Sequence, residues 1–222
     1  MKKFFLTIGL ILISVLCMAE TKVSSEINTV ETWTRDGGPY LIEGEVVIGP
    51  KGFVTIEAGT VINFKEDAQI TVKGAFYSKG VPANPVRMLP HNGSSFYRGI
   101  RIEGKYRNII EFTIFIRGGV IVEGGNLIFK NNYILNATRI QAYHFANVLM
   151  TDNYMYNNTY GIYSEGQKIQ LKINRNTFDR NRFAVYFQDM TDPQIDISLN
   201  NFSKNQVNIT NYTVNELSLI HI

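Results

Sequence analysis

A motif recurs along the second half of the chain with a step of 21 to 24 residues, and it restricts the fold more than any other feature. Leu127-x-Phe129-x-x-Asn132-x-Ile134 is followed by Val148-x-Met150-x-x-Asn153-x-Met155. Leu171-x-Ile173-x-x-Asn176-x-Phe178 and Ile195-x-Ile197-x-x-Asn200-x-Phe202 come next. A weaker upstream copy has Thr113 in the Asn place and Phe115 in the apolar place. Self-similarity at such a step marks a solenoid, in which each repeat buries its apolar face against its neighbours.

Each copy has a second half. Five residues beyond the ladder Asn stand Asn158, Asn181 and Asn205, with Gly118 and Ala137 in the earlier copies, and an alternating run then begins. Gly99–Glu103, Gly119–Glu123, Arg139–Tyr143, Gly161–Glu165 and Ala184–Gln188 are such runs, and Asn208–Tyr212 is the last. Period-two alternation means a strand with one buried face, so each coil carries at least two short strands around an Asn corner.

Coils stack at the strand spacing of about 4.8 Å, which sets like residues above like. Ile100, Val120, Ile140, Ile162, Val185 and Ile209 are predicted to form one inward column. Phe115, Ile134, Met155, Phe178 and Phe202 form another. Asn132, Asn153, Asn176 and Asn200 form an amide ladder, a structural role that Asn suits through its tolerance of left-handed backbone and its bonding to its own chain. A leucine-rich repeat fits L-x-L-x-x-N-x-L in outline. It would place a helix or extended arc where Arg182–Gln188 reads as strand, and leucine is scarce in these coils. The parallel β-helix is therefore the favoured reading.

The first half carries a resemblance. Thr32-Trp33-Thr34 leads to Gly38–Val46, then to Val54-Thr-Ile-Glu-Ala-Gly59-Thr-Val-Ile-Asn-Phe64. Ile70–Gly80 and Asn84-Pro85-Val86-Arg-Met88 follow. These segments resemble the opening coils of exported bacterial right-handed parallel β-helix proteins, with Ala58 for the usual Pro and Phe76 for the usual Leu. The downstream coils resemble the pectin-lyase-like, NosD-type repeats. Residues 32 to 212 are covered. The resemblance implies an all-β, right-handed parallel β-helix of about eight coils over residues 41–212. A lead-in or cap over residues 20–40 precedes it, and a tail over residues 213–222 closes the last coil. It implies little about function, because the superfamily includes lyases, hydrolases, adhesins and scaffolds.

The start reads as an export signal. Met1-Lys2-Lys3 is positive, Phe4 to Val15 is apolar apart from Thr7, Gly9 and Ser14, and Cys17-Met18-Ala19 supplies the small residues of a cleavage site. The run is short for a membrane span. Cleavage after Ala19 is favoured over acylation of Cys17, because Ser14-Val15-Leu16 lacks the residues that usually precede a lipidated Cys. The expected location is secreted or periplasmic, with cell-surface attachment through a partner as an extension. The mature chain then contains no cysteine and no span. Lys2 and Lys3 supply two of the formal +3 charges, and the remaining +1 argues against a nucleic-acid binder.

Gly80–Arg98 is the least regular stretch. It is read as one strand, Val86 to Leu89, and a protruding loop whose tip, Ser94-Ser95-Phe96-Tyr97, is a surface loop or a lid. Candidate chemistry is sparse. By register, Asp152 lies between Asn131 and Arg175, and Asp179 between Tyr156 and Lys204, so no two Asp stack. Asp189, Asp192 and Asp196 fall in a turn and a strand start without converging for calcium. His91, His144 and His221 are not at ligand spacing, so no metal and no cofactor is expected. That counts against the copper-delivery role the NosD resemblance implies.

The most suggestive surface is an outward strip on the second alternating run. One column reads Glu103, Glu123, Tyr143, Glu165, Gln188, and the other Arg101, Ile121, Gln141, Tyr163, Tyr186. Glu pairs on adjacent strands and two coils apart lie at spans that bracket glycosidase carboxylate separations, yet any solenoid with paired Glu meets that test. Arg101, Glu103, Glu123, Tyr143, Tyr163, Glu165 and Tyr186 are therefore read as a binding strip for glycan or an envelope protein, with no catalytic residue assigned. Tyrosine rings would stack on sugars, and Glu and Gln would accept hydroxyl hydrogen bonds. The alternative is a polysaccharide lyase or hydrolase.

Overall fold

In a computed structural model of the chain, residues 20–93, 96–137, 139–212 and 220–221 are described, so the predicted signal peptide, residues 1–19 with Cys17, lies outside them. The described residues are all-β. Their strands form three nine-stranded parallel sheets wound into a solenoid of about eight coils. Among the described residues one 3₁₀ turn, His91–Gly93, is the sole helical element.

Every coil contributes one strand to each sheet. The coil around the first Asn corner runs from Asn126–Lys130 in the third sheet to Tyr133–Leu135 in the first and Ile140–Tyr143 in the second. The motif read from sequence therefore contains two of the three strands, split at its Asn.

The predicted columns hold. Ile100 pairs with Val120, then Ile140, Ile162, Val185 and Ile209 follow in register in the second sheet. Phe115, Ile134, Met155, Phe178 and Phe202 do the same in the first. These side chains are fully buried except Phe202 and Ile209, which are partly covered in the last coil.

The ladder forms from Asn132 to Asn200. Each amide donates one proton to a backbone carbonyl of the preceding coil, as Asn153 Nδ2 does to Phe129 O at 2.8 Å. It donates the other to the next ladder oxygen, Asn176 Oδ1, at 2.9 Å. That oxygen also accepts the backbone N–H of Asn153 at 3.0 Å. A second ladder through Asn158, Asn181 and Asn205 repeats the pattern at the next corner. The reason for Asn differs from the expected one in one respect. At these two corners the left-handed residues are those one before each ladder position: Phe112, Asn131, Asp152, Arg175 and Leu199, and likewise Arg117, Asn136, Asn157, Arg180 and Lys204. Ladder Asn residues are selected for hydrogen bonding, not for backbone freedom.

The ends extend the coil stack. Within residues 20–40, Thr21–Lys22, Glu26–Ile27 and Val30–Trp33 already pair in parallel with the next coil, one in each sheet. In the tail, Ile220–His221 adds a strand beside Ile195 and Asp196. The irregular stretch contains strand Val86–Pro90. Ser94 and Ser95 lie outside the described residues. Tyr97 is not a loop tip: it is buried, stacked on Phe64 at 4.4 Å, and donates its hydroxyl proton to Met88 O at 2.7 Å. Gly118 makes room for it, since a Cβ there would fall 2.1 Å from the Tyr97 ring.

Candidate functional site

Strand alternation places the predicted strip on the outer face of the second sheet. Arg101, Ile121, Gln141, Tyr163 and Tyr186 are in continuous register. Glu123 pairs with Tyr143, and Glu165 with Gln188. The strip divides into an ionic part and an aromatic part.

The ionic part is one guanidinium between two carboxylates. Arg101 Nε donates to Glu103 Oε1 at 2.6 Å, and Arg101 Nη2 donates to Glu123 Oε2. Partial burial works against the charge of Arg101. The hydrogen bond to Glu103 and the fields of Glu123 and Glu103 outweigh it, so the net effect holds its pKa above the usual value.

The aromatic part is a packed cluster. Tyr163 and Tyr186 stack at 5.5 Å and 9°, and Tyr160 and Phe183 at 5.2 Å and 13°. The two pairs meet edge to face, Tyr160 to Tyr186 at 5.3 Å and Phe183 to Tyr186 at 5.2 Å. Arg139 sits 5.6 Å from the Tyr163 ring centroid, and Arg182 5.3 Å from that of Phe183. The Tyr163 hydroxyl donates to Glu165 Oε2 at 2.6 Å and lies 3.0 Å from the Gln188 side-chain oxygen. Burial, then the bond and charge of Glu165, push the Tyr163 phenol well above its ordinary pKa. Burial likewise raises Tyr143, whose hydroxyl accepts from Gln141 Nε2.

Tyr163, expected from the sequence to stack on a sugar, is mostly covered in this geometry. It is only 8% exposed. Coil spacing near 4.8 Å stacks aligned rings on each other, so Tyr186 covers one face while Arg139 and Tyr143 crowd the ring.

A second feature was not singled out from the sequence. A cleft of about 480 Å³ opens on the outer face of the first sheet, at the corner it shares with the third. Its floor is Ile114, Tyr133, Tyr154 and Thr177, one residue from each of four successive coils. Its side is the corner between the third and first sheets, which begins with Val81, Pro82 and Pro85 and continues as the left-handed column Phe112, Asn131, Asp152 and Arg175. Arg175 grips Asp152 with both nitrogens, at 2.8 and 2.7 Å. That hydrogen bonding holds the Asp152 carboxyl below the usual range. The sequence signal was the repeated Asn-Tyr pair, Asn132-Tyr133 and Asn153-Tyr154, which fixes a tyrosine just outside the ladder. The wall from residues 81–85 has no such signal.

No curated protein and no solved structure matches the chain. The family described as "Periplasmic copper-binding protein (NosD)" matches residues 26–219. That range covers nearly all of the described solenoid, so the protein is an exported one, secreted or periplasmic, and the chain belongs to the NosD family of β-helix repeat proteins.

Proposed function

We propose that the protein is a non-enzymatic β-helix scaffold whose second-sheet outer face docks another protein of the cell envelope. The observation that carries the reading is the pre-packed cluster of Tyr160, Tyr163, Phe183 and Tyr186, flanked by Arg139 and Arg182. Tyrosine and arginine held rigid before contact are the residues that dominate protein interfaces, because little side-chain entropy is lost on binding. A sugar-stacking role needs open ring faces, and those of Tyr163 are covered.

Copper, which belongs to the family's description, finds no fitting donor set among the described residues. Among the described residues no three His, Cys, Asp or Glu side chains converge. His91 contacts the Glu20 carboxylate at 3.1 Å, a pair where copper asks for several nitrogen or sulfur donors. Glu103 and Glu123 share one guanidinium, an arrangement for a fixed ion triad rather than for an acid opposed to a nucleophile.

Photo-crosslinking in the living cell tests the proposal. A crosslinker at position 186 is expected to yield a discrete product with one protein, while one at position 172 on the third sheet yields none. Arg139→Glu is expected to abolish the product at 186. Equal products from both positions, or a product unaffected by Arg139→Glu, would overturn it. Reducing-end or unsaturated-product release from polysaccharide, lost in Glu103→Gln or Glu123→Gln, would establish the enzyme alternative instead.

A further inference from the structure

The cleft on the first sheet has a chemistry of its own and lies on a different sheet from the proposed docking face. Its floor is apolar and aromatic. Tyr133 is 51% exposed, and Tyr154 meets it tilted by 54° at 5.9 Å, so the Tyr133 ring is not covered face-on as Tyr163 is. Ile114 continues the floor in the preceding coil. Further along the same corner from the stiff Pro82 and Pro85 segment stands a polar stretch, where Asp152 and Arg175 offer carboxylate oxygens and guanidinium N–H groups side by side. The pair carries no net charge.

A ligand matched to this lining has one flat C–H face for the ring and a rim of hydroxyls that both donate and accept. It has no charge of its own, since the wall offers a neutral pair rather than a lone cation or anion. Pyranose rings have this chemistry: C–H bonds on a face, hydroxyls at the edge, and a width that suits an aromatic floor. A cleft of about 480 Å³ takes a short stretch of saccharide rather than a single small ion. Its floor runs along the solenoid axis, one residue per coil, which suits a linear chain.

We infer that this cleft binds a neutral oligosaccharide, with the Tyr133 ring beneath a sugar face and the Asp152–Arg175 pair bonding its hydroxyls. The fork between Asp152 and Arg175 fixes both groups in place before binding, so little ordering remains for the ligand to impose. The site is independent of the docking face, and either can fail without the other.

Titration calorimetry with cello-, malto-, xylo- and chito-hexaose tests the site, with hexagalacturonate as the acidic comparison. At least one neutral hexaose is expected to bind saturably and hexagalacturonate more weakly. Tyr133→Ala is expected to weaken binding about tenfold, the scale of one lost ring contact. Tyr133→Phe keeps the ring and is expected to retain binding. Because Tyr133 is half exposed, the Ala variant should keep the parent's circular dichroism and melting temperature. Paired Asp152→Asn and Arg175→Gln changes are expected to weaken binding while keeping the wall neutral. Lys172→Ala, on the third sheet and outside the cleft, is expected to leave binding unchanged. The inference is overturned if no neutral hexaose binds up to about 10 mM. It is equally overturned if Tyr133→Ala binds as the parent does, or if only the acidic oligomer binds.

Discussion

Four hydrogen bonds meet at the side chain of Asn153: two received from Asn132, one given to Phe129 O and one given to Asn176. An Ala there leaves the Asn132 N–H and the Phe129 carbonyl without these partners in a buried corner. Each buried group left unpaired costs about 1–3 kcal/mol, so Asn153→Ala should be strongly destabilising in denaturant unfolding. Leu199 gives the opposite case. It is 80% exposed and left-handed at φ 57°, where a side chain with a branched body costs about 1–2 kcal/mol relative to its favoured conformations. Leu199→Asn is expected to raise stability by a fraction of that amount, measured as a higher unfolding midpoint. A midpoint unchanged in both variants would mean that ladder and corner have been wrongly apportioned. Asn tolerates both roles. The repeat marked Asn132 as the ladder residue, and the backbone angles add that Asn131 beside it is the left-handed one.

Phe178 shows how an element depends on its column. It is fully buried in strand Thr177–Asp179, between Met155 and Phe202, and stacks on Phe202 at 5.3 Å and 9°. Truncation to Ala removes a ring that no neighbour can replace, because coil spacing holds the adjacent strands in place. The expected loss is about 3–5 kcal/mol, and a near-neutral result in thermal or denaturant melts would show that the column tolerates a void. Columns such as this were legible in the sequence because register is fixed by period-two alternation and a repeated Asn. The strands that precede the resemblance were not legible as a coil. Thr21–Lys22, Glu26–Ile27 and Val30–Trp33 form a first coil with no ladder Asn to announce it. Tyr97 reads as a polar loop aromatic, yet it is held by Phe64, some thirty residues away, and by the absence of a Cβ at Gly118. The first-sheet cleft depends on a turn at residues 81–85 closing over side chains from later coils, a long-range meeting that no local pattern encodes. Ring-face coverage at Tyr163 was similarly hidden, although its neighbours in register were predicted.

At the scale of the whole molecule, stability in a solenoid is close to a sum over coils and the interfaces between them, with little contact beyond nearest neighbours. Coils of equal register should then be interchangeable units. Asn132 and Asn153 occupy equivalent ladder positions 21 residues apart. Deleting Tyr133 to Asn153 removes one strand from each sheet and joins Asn132 directly to Tyr154. Phe115 then faces Met155, Val120 faces Ile162 and Leu127 faces Leu171, so every inward column stays apolar and the ladder continues from Asn132 to Asn176. The shortened protein is expected to fold, with a β-type circular dichroism spectrum and cooperative melting at a lower temperature, because one interface is lost. Deleting Tyr133 to Ala142 instead breaks the register: it removes two of the three strands and feeds the second half of the coil into the wrong sheet. That variant is expected to be unfolded or aggregated, as mismatched columns would expose apolar residues and orphan the corner amides. Cooperative melting of both variants, or of neither, would mean that the coil is not the unit of this fold.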